Sequence, residues 1–365
     1  MKQRADISYM LFLAVTAAVG GLLFGYDTAV ISGTVELVTA RFGLDSLQQG
    51  WYVGCALAGS VAGVLCAGVL SDRLGRRRTM LVSAVLFTVS AVGCALCADF
   101  TQLVVYRIVG GLGIGVVSIV SPLYISEVSA ARRRGMLVSF YQLAVTMGFL
   151  AAYTVNYLLL RMGQTAGFET AWVQRIFVDE VWRGMLGAET LPALLFFVII
   201  FFIPESPRWL AVKGMKEQAF GIMSRIMGED EVRAQYEEME QAISADRSRS
   251  SAQGLAQILH PSMRRVLMIG IVLAVFQQWC GINVIFNYAQ EIFSSAGYSV
   301  SDILMNIVIT GVTNVVFTFV ALFLVDKLGR RPLLLIGSGG LALIYIMMAV
   351  VYCFQITGVV LLVIV

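Results

Sequence analysis

Long apolar runs alternate along the chain with short segments that hold most of its charges. A helix needs about 20 apolar residues to cross the hydrocarbon core of a bilayer. Nine runs of roughly that length or more predict nine membrane-spanning helices. The predicted spans cover 9–32, 48–70, 79–98, 103–126, 136–160, 184–203, 266–293, 303–325 and 333–354. A tenth run begins near Thr357 and reaches only Val365, so we expect the sequence to stop inside a tenth span.

The composition supports a membrane protein, because 58% of the residues are hydrophobic and only 13% are charged. Soluble domains carry about 25% charged residues. The six cysteines lie in apolar runs, and His260 is the only histidine. Since no nucleophile–base pair or metal-ligand cluster is evident, we expect neither an enzyme nor a bound metal or cofactor. No basic tract is interleaved with aromatic residues, which argues against nucleic-acid binding.

Lysine and arginine are concentrated on one side of the predicted membrane. With Met1 inside, twelve of them fall in the short inner segments and four in the outer ones. Cytoplasmic loops of membrane proteins carry an excess of Lys and Arg. The distribution therefore predicts a multi-pass protein of the inner or plasma membrane with a cytoplasmic N-terminus.

One long hydrophilic segment divides the spans, running from about Glu205 to Arg265 with nine basic and nine acidic residues. Apolar residues recur in it at helical spacing, which predicts short amphipathic helices on the cytoplasmic face. The predicted domains are an N-terminal six-helix bundle (1–203), a linker domain (204–265) and part of a C-terminal bundle (266–365).

A repeat relates the two bundles. The segments GVLSDRLGRR (68–77) and LFLVDKLGRR (322–331) both follow an even-numbered span on the predicted inner side. Their shared pattern indicates two related halves of six spans, which is a transporter architecture. The expected fold is an all-α membrane protein of two six-helix bundles. This sequence would hold about nine full helices of it and the start of a tenth.

Six segments resemble the sugar porter family of the major facilitator superfamily, and its bacterial D-xylose:proton symporters in particular. They are GGLLFGYDTAVISG (20–33), GVLSDRLGRR (68–77), YRIVGGLGIG (106–115), SPLYISEVSAARRRG (121–135), PESPRWL (204–210) and FQQWCGIN (276–283). The last two are specific to sugar porters, whereas the second marks only the superfamily. The resemblance implies the major facilitator fold and a transporter that carries a monosaccharide, a pentose or hexose, with protons by alternating access. We expect the protein to be a monomer.

Three charged residues stand out inside predicted spans: Asp27, Arg107 and Glu189. Each sits about 7 to 9 Å below the outer end of its span. A charge inside a membrane is costly and is a functional candidate by default. A buried ion pair that only fixes packing is the alternative, although such pairs often add no stability. The resemblance implies that Asp27 carries the proton and that Arg107 and Glu189 are its partners, which favours symport over uniport.

Amide side chains cluster in spans 5, 7 and 8. Amides both donate and accept hydrogen bonds without a net charge, so they suit the hydroxyl groups of a sugar. The alternative is hydrogen bonding between helices. Six amides lie well inside these apolar runs: Gln142, Gln277, Gln278, Asn283, Asn287 and Asn314. The resemblance assigns sugar contacts to all but Asn287 and ring packing to Phe24. Asn287 stands where the symporters usually have tyrosine, which leaves the sugar open.

Charged residues also gather at the inner ends of the spans. The resemblance implies that they form ion pairs that stabilise the outward-facing state and break when the inside opens. Solvated loop charge is the alternative. The residues of this predicted latch are Asp72, Arg73, Arg76, Arg77, Glu127, Arg134, Asp326 and Arg330.

Other functions stay open on the residues alone. A facilitative uniporter would move sugar without coupling Asp27 to protons. A sugar sensor that does not transport often carries long signalling tails, whereas the amino-terminal tail here is about eight residues. A drug/proton antiporter fits the amide-rich cavity and the PESPRWL segment less well.

Overall fold

The computed structural model describes residues 7–130, 133–165, 167, 169–227, 229–248, 261–281 and 300–354. Within these ranges the secondary structure is helical, without a strand. The predicted tenth span, Asn283 and Asn287 lie outside the described residues.

The N-terminal bundle consists of six helices long and apolar enough to cross a membrane. They are α1 (Ile7–Val30), α2 (Ser46–Leu74), α3 (Arg76–Leu96), α4 (Phe100–Glu127), α5 (Arg134–Thr165) and α6 (Val181–Ile200). Each coincides with one of the first six predicted spans, displaced by a few residues at its ends.

Side-chain caps fix where α2 and α4 begin. The Asp45 carboxylate accepts a hydrogen bond from the backbone N–H of Gln48 at 2.7 Å, and the Gln48 side chain accepts one from the N–H of Asp45 at 3.1 Å. This reciprocal pair is a capping box. The Asp99 carboxylate accepts from the N–H of Gln102 at 2.8 Å. Both caps satisfy N–H groups that a helix start leaves without partners.

Glycines bring the helices that carry the intramembrane charges into backbone contact. A Cβ atom at Gly25 of α1 would overlap with the carbonyl oxygen of Val145 on α5. A Cβ atom at Gly111 of α4 would overlap with the carbonyl oxygen of Ala56 on α2. Small residues allow such close approach between membrane helices, so α1 and α4 are held firmly on their neighbours.

The bundle has two ends, which we name by their residues. The linker end carries Gly75, Glu127 and Glu205, and the far end carries Asp45, Cys97 and Glu180. In the described part of the linker, three further helices follow at this end. They are α7 (Pro207–Val212), α8 (Lys216–Ile226) and α9 (Glu229–Ser248).

The linker helices pack on the bundle. Met223 and Ile226 of α8 are buried in the same apolar cluster as residues of α1 and α4. The Arg225 guanidinium lies 4.4 Å from the centre of the Tyr9 ring at the start of α1, a cation–π contact. The linker helices therefore cover this end of the bundle.

The described residues of the C-terminal part form α10 (Pro261–Trp279), α11 (Val300–Leu328) and α12 (Arg330–Cys353). With the six helices of the N-terminal bundle, α11 and α12 make eight helices in the described part of the chain that could span a membrane. The helix α10 is not among the eight. Its predicted span, 266–293, continues into residues that the structure does not describe.

Candidate functional site

The three intramembrane charges meet inside the N-terminal bundle. Asp27 lies in the last turn of α1 and Arg107 in the second turn of α4. The Arg107 guanidinium donates a hydrogen bond to the Asp27 carboxylate, with Nη1 and Oδ1 2.5 Å apart. Both guanidinium Nη atoms also lie 3.4 Å from the Asp27 carbonyl oxygen. Asp27 is 1% exposed and Arg107 2%, so this ion pair is fully buried.

Glu189 completes the group from a break in α6. The first half of α6 ends at Gly187 and the second half begins at Thr190. Pro192 explains the break, because proline has no N–H and its ring clashes with the carbonyl four residues earlier. The carbonyl of Ala188 instead accepts from the N–H of Leu191 at 3.2 Å. Glu189, 2% exposed, is thereby placed within hydrogen-bonding reach of Asp27.

The hydrogen bonding of this triad, Asp27, Arg107 and Glu189, is incomplete. Asp27 Oδ2, Arg107 Nε and Glu189 Oε1 are buried without a hydrogen-bond partner among the described residues. Two adjacent carboxylates next to one guanidinium disfavour double ionisation. A proton on either carboxyl group could be shared between the two acids and would give both oxygens a partner. The geometry therefore suits reversible protonation.

A small cavity of about 30 Å³ lies beside the ion pair. A cavity holds one water molecule when it offers about 10–15 Å³, so one or two fit here. Water in this cavity could pass a proton to the Asp27 carboxylate. The lining residues are Phe24, Asp27, Thr28, Ile31, Val53, Ala56, Leu57, Arg107 and Ile114.

The predicted sugar-binding residues are spread over four helices. Phe24 on α1 is half-buried, Gln142 on α5 is exposed, and Asn314 on α11 is half-buried. Gln277 and Gln278 are exposed in the last turn of α10.

Three of these amide side chains are not used to join helices. The side chains of Gln142, Gln277 and Asn314 make no hydrogen bond to a described residue. Immediately beyond α10, Gly281 has a φ of 80°, a left-handed conformation that glycine tolerates. The helix α10 ends just before this glycine, at Trp279.

A second charge network occupies the linker end. Arg76 donates to both carboxylate oxygens of Glu127, with Nε–Oε2 at 3.0 Å and Nη2–Oε1 at 3.1 Å. Its Nη1 lies 3.3 Å from Asp72 Oδ1. Glu127 Oε2 accepts a further bond from the Ser206 hydroxyl at 2.6 Å. This network ties the ends of α2, α3 and α4 to the start of the linker.

Glu205 caps the start of α3, although it lies 129 residues later in the sequence than Arg76. Its Oε1 atom accepts from the backbone N–H groups of Arg76, Arg77 and Ser206 at 2.8, 3.1 and 2.9 Å. A Cβ atom at Gly75, whose φ is 95°, would overlap with this carboxylate. Glu205 is not among the site residues predicted from the sequence. A cap from another segment could have been expected, because Gly75 at the N-cap of α3 provides no side-chain cap. The first N–H groups of α3 therefore need an acceptor from elsewhere.

The predicted latch is assembled in part. Asp72, Arg76 and Glu127 join as described, and Arg77 donates to the carbonyl oxygens of Ile200 and Phe201 at 3.2 and 2.9 Å. Arg73 and Arg134 are exposed, and neither forms an ion pair with a described residue. The side chains of Asp326 and Arg330 lie outside the described part of the structure.

A third cluster lies at the far end around Glu180. Its carboxylate accepts from Arg41, from Arg175 at 3.0 Å and from Arg183 at 2.5 Å. Burial would raise the pKa of Glu180, but the three guanidinium groups outweigh burial and lower the pKa to about 2. Arg183 also donates to the carbonyl oxygen of Cys97 at 2.7 Å. On the sequence alone these arginines count only as outer charges, and the acidic Glu180, which lies between Arg175 and Arg183, is the signal that was overlooked.

Comparisons with known proteins agree on one kind of protein. Residues 13–365 match the family described as "Sugar (and other) transporter". The chain is 38% identical to the D-xylose-proton symporter of Escherichia coli K12, over 94% of this chain and 72% of that protein. It is 36% identical to the arabinose-proton symporter of Bacillus subtilis, over 97% and 73%. It is 39% identical to a glucose transport protein of Synechocystis, over 95% and 73%.

Solved structures show the same similarity. The partially occluded, inward-open xylose transporter XylE from E. coli superposes with a TM-score of 0.84 at 36% identity, covering 98% of this chain and 82% of that one. The proton:xylose symporter XylE bound to 6-bromo-6-deoxy-D-glucose superposes with a TM-score of 0.84 at 37% identity, covering 98% and 78%.

Proposed function

Because the chain belongs to the family of sugar (and other) transporters and has the major facilitator fold, we propose that it imports a monosaccharide together with protons by alternating access. The observation that carries this proposal is the buried triad of Asp27, Arg107 and Glu189. Relatives at 36–38% identity are named as proton symporters of xylose and arabinose. The protein is a multi-pass membrane transporter, not an enzyme.

The proposed proton step uses the incomplete hydrogen bonding of the triad. Ionised Asp27 is held by Arg107 at 2.5 Å. A proton that arrives through the small cavity neutralises Asp27 and weakens this ion pair. Arg107 can then turn its charge towards Glu189, which keeps the guanidinium paired. The change loosens α1 from α4 at the level of the charges and favours the inward movement of sugar.

The proton gradient is a sufficient energy source. One proton moving inward yields about 2.3 kcal/mol per 100 mV of membrane potential and about 1.4 kcal/mol per pH unit. Since each 1.4 kcal/mol is a factor of ten, one proton could support a sugar gradient of several hundred-fold.

The proposed sugar site is formed by Gln142, Gln277, Gln278 and Asn314, with Phe24 as an apolar surface for the ring. Its support is that Gln142, Gln277 and Asn314 leave their amides available for a ligand in the described structure. Asn283 and Asn287 complete the proposed set, although they lie outside the described residues. The sugar could be a pentose or a hexose.

We further propose that the linker end faces the cytoplasm and that the N-terminus therefore lies on the cytoplasmic side of the inner or plasma membrane. The support is the excess of arginine at this end, in Arg76, Arg77 and Arg78, which follows the positive-inside rule. The latch at this end would stabilise the outward-facing state. We propose that the protein acts as a monomer, because one chain supplies the triad and the amides.

The test is sugar uptake by the full-length protein in proteoliposomes, with pentoses and hexoses supplied in turn. With an inward proton gradient, we expect at least one sugar to accumulate above its outside concentration. Dissipating the gradient with a protonophore should abolish accumulation while leaving equilibration intact. Sugar that only equilibrates across the membrane, whether or not a proton gradient is imposed, would identify a uniporter. Sugar binding without uptake would identify a sensor.

A further inference from the structure

The N-terminal bundle contacts the C-terminal part through α5 and α11. The buried residues of α11 are confined to its far-end part and include Ile303, Asn306, Ile307 and Gly311. Beyond Gly311, the described side chains of α11 are half-buried or exposed. The two parts of the chain are therefore closed against each other at the far end.

The register between α5 and α11 follows from Gly311. A Cβ atom there would lie 2.9 Å from the Tyr153 ring and 3.3 Å from the Leu150 side chain. Ile303 and Ile307 belong to the far-end apolar cluster that includes Val30 and Trp182, so α11 runs antiparallel to α5. Asn306 lies five residues before Gly311, about 7.5 Å along the helix axis. It is thus level with residues 155 to 158 of α5.

Asn156 lies at that level and is 1% exposed. Its side-chain amide donates to the carbonyl oxygen of Val30 at 3.1 Å, and its side chain packs where a Cβ atom at Gly33 would overlap with it. These contacts direct the nitrogen of Asn156 to α1. Its oxygen, Oδ1, is buried without a partner among the described residues.

Asn306 offers the complementary atom. It is 8% exposed, and its Nδ2 is buried without a partner in the described structure. One helix thus carries an unused acceptor and the facing helix an unused donor at the same level. A buried polar atom without a partner costs free energy, and more so inside a membrane. Each of these two buried atoms would therefore be stabilised by a hydrogen-bonding partner.

We propose that Asn156 and Asn306 form a gate contact at the far end, in which Asn306 Nδ2 donates to one water molecule that in turn donates to Asn156 Oδ1, because the closed far end leaves both atoms without a partner among the described residues. The contact forms as the halves close at this end and breaks when it opens, and so it rests on the alternating access proposed above. Because Asn156 also binds Val30, three residues beyond Asp27, the gate connects to the segment of α1 that carries the proton site.

The test measures how often the far end is open. In a full-length background without the native cysteines, spin labels at Leu47→Cys on α2 and Ile309→Cys on α11 report the distance between the halves. Both positions are exposed, at 83% and 52%. Asn306→Ala should raise the ratio of far-open to far-closed molecules about threefold, which corresponds to about 0.6 kcal/mol.

The double mutant separates one shared contact from two independent ones. Asn156→Ala/Asn306→Ala should shift the ratio no more than Asn156→Ala alone. Thr313→Ala is the matched control, because this exposed hydroxyl only bonds Ile309 of its own helix at 2.9 Å, and it should leave the ratio unchanged. An unchanged ratio in Asn306→Ala, or effects of the two alanines that multiply, would overturn the gate.

A second measurement keeps the proposal testable if the protein without its native cysteines does not fold. Hydrogen exchange of the native-cysteine protein should become faster in the peptide around Asn306 for Asn306→Ala and not for Thr313→Ala. Equal exchange in both variants would also overturn the proposal. Both readouts follow conformation, so loss of the proposed sugar transport would be seen separately in uptake assays.

Discussion

Two sites in the N-terminal bundle each combine one arginine with two carboxylates, and they differ in how completely they are hydrogen-bonded. At the linker end, the Nε, Nη1 and Nη2 atoms of Arg76 all donate, and Glu127 accepts from both Arg76 and Ser206. In the triad, Asp27, Arg107 and Glu189 each keep one buried polar atom without a partner in the described structure.

The difference separates two uses of the same side chains. A saturated network fixes one geometry, because any movement breaks several hydrogen bonds at once. A buried network with unused hydrogen-bonding atoms has alternative arrangements of similar energy, and the binding of a single proton can shift the balance between them. The difference therefore supports the proposal that the linker-end network holds a conformation and that the triad responds to protonation.

Removing the cation of the triad should give the largest effect. Arg107→Ala leaves two buried carboxyl groups without a positive partner, and breaking a buried pair in this way costs about 3–5 kcal/mol. Denaturant unfolding in detergent should show a loss of that order. Arg76→Ala is the control and should lose less, because Glu127 keeps the Ser206 hydroxyl.

The same experiment has an internal rescue. Adding Asp27→Asn to Arg107→Ala removes one of the stranded charges and should recover part of the lost stability. If Arg107→Ala unfolds like the parent protein, the triad is not electrostatically coupled and the comparison fails.

Neutral residues of the proposed sugar site should behave differently from the charges. Gln142→Ala should weaken sugar binding by about 1–3 kcal/mol, the usual cost of an unpaired buried polar partner, and leave the proton-to-sugar ratio unchanged. Calorimetry and paired proton and sugar fluxes measure the two quantities. Thr154→Ala, whose hydroxyl bonds Leu150 of its own helix at 2.7 Å, is the control on α5. Unaltered affinity in Gln142→Ala would place the sugar elsewhere.

The linker-end network can be weakened at its cap. Glu205→Ala removes the acceptor of three backbone N–H groups, and loss of a helix cap costs about 1 kcal/mol. The fraction of molecules open at the linker end, measured by spin-label distances, should rise about fivefold. Gly75→Ala should act in the same direction, because its Cβ would displace the Glu205 carboxylate.

An exposed acid in the same region provides the control for the cap. Glu217→Ala on α8 alters an exposed side chain and should leave the open fraction unchanged. Equal effects of Glu205→Ala and Glu217→Ala would mean that the linker end responds to charge in general and not to the cap.

The far-end cluster should show the smallest effect in the physiological range. The pKa of Glu180 is lowered to about 2 by its arginines, below the value of about 4.3 for an unfolded chain. Its stabilisation is therefore complete above about pH 4.3 and is lost as the pH falls towards 2. Between pH 5 and 8, the difference in melting temperature between the parent and Glu180→Gln should be constant. A difference that changes across this range would show that Glu180 titrates there.

The sequence predicted the helices well and the long-range contacts poorly. Apolar runs locate α1 to α6, α11 and α12 because a single run of that length can satisfy its own backbone hydrogen bonds in a bilayer only as a helix. The break at Glu189 could also have been predicted from the sequence, because Pro192 lies three residues beyond it. The predicted triad residues meet, because their common depth in three helices restricts where they can lie.

Contacts between distant segments have no local signature. Glu205 lies 129 residues from the N–H of Arg76 that it caps, and nothing near Glu205 in the sequence indicates that partner. The proposed contact between Asn156 and Asn306 depends on the register between α5 and α11, which is inferred from the close packing at Gly311. Such contacts require the folded structure.

The most direct test of the proton-coupling claim compares accumulation with exchange for Asp27→Asn in full-length protein. This variant keeps the shape of the side chain and is permanently neutral. In proteoliposomes with an imposed proton gradient, we predict that it no longer concentrates sugar, while sugar-for-sugar counterflow continues. Accumulation of sugar by Asp27→Asn to the level of the parent protein would contradict the role of the triad in coupling.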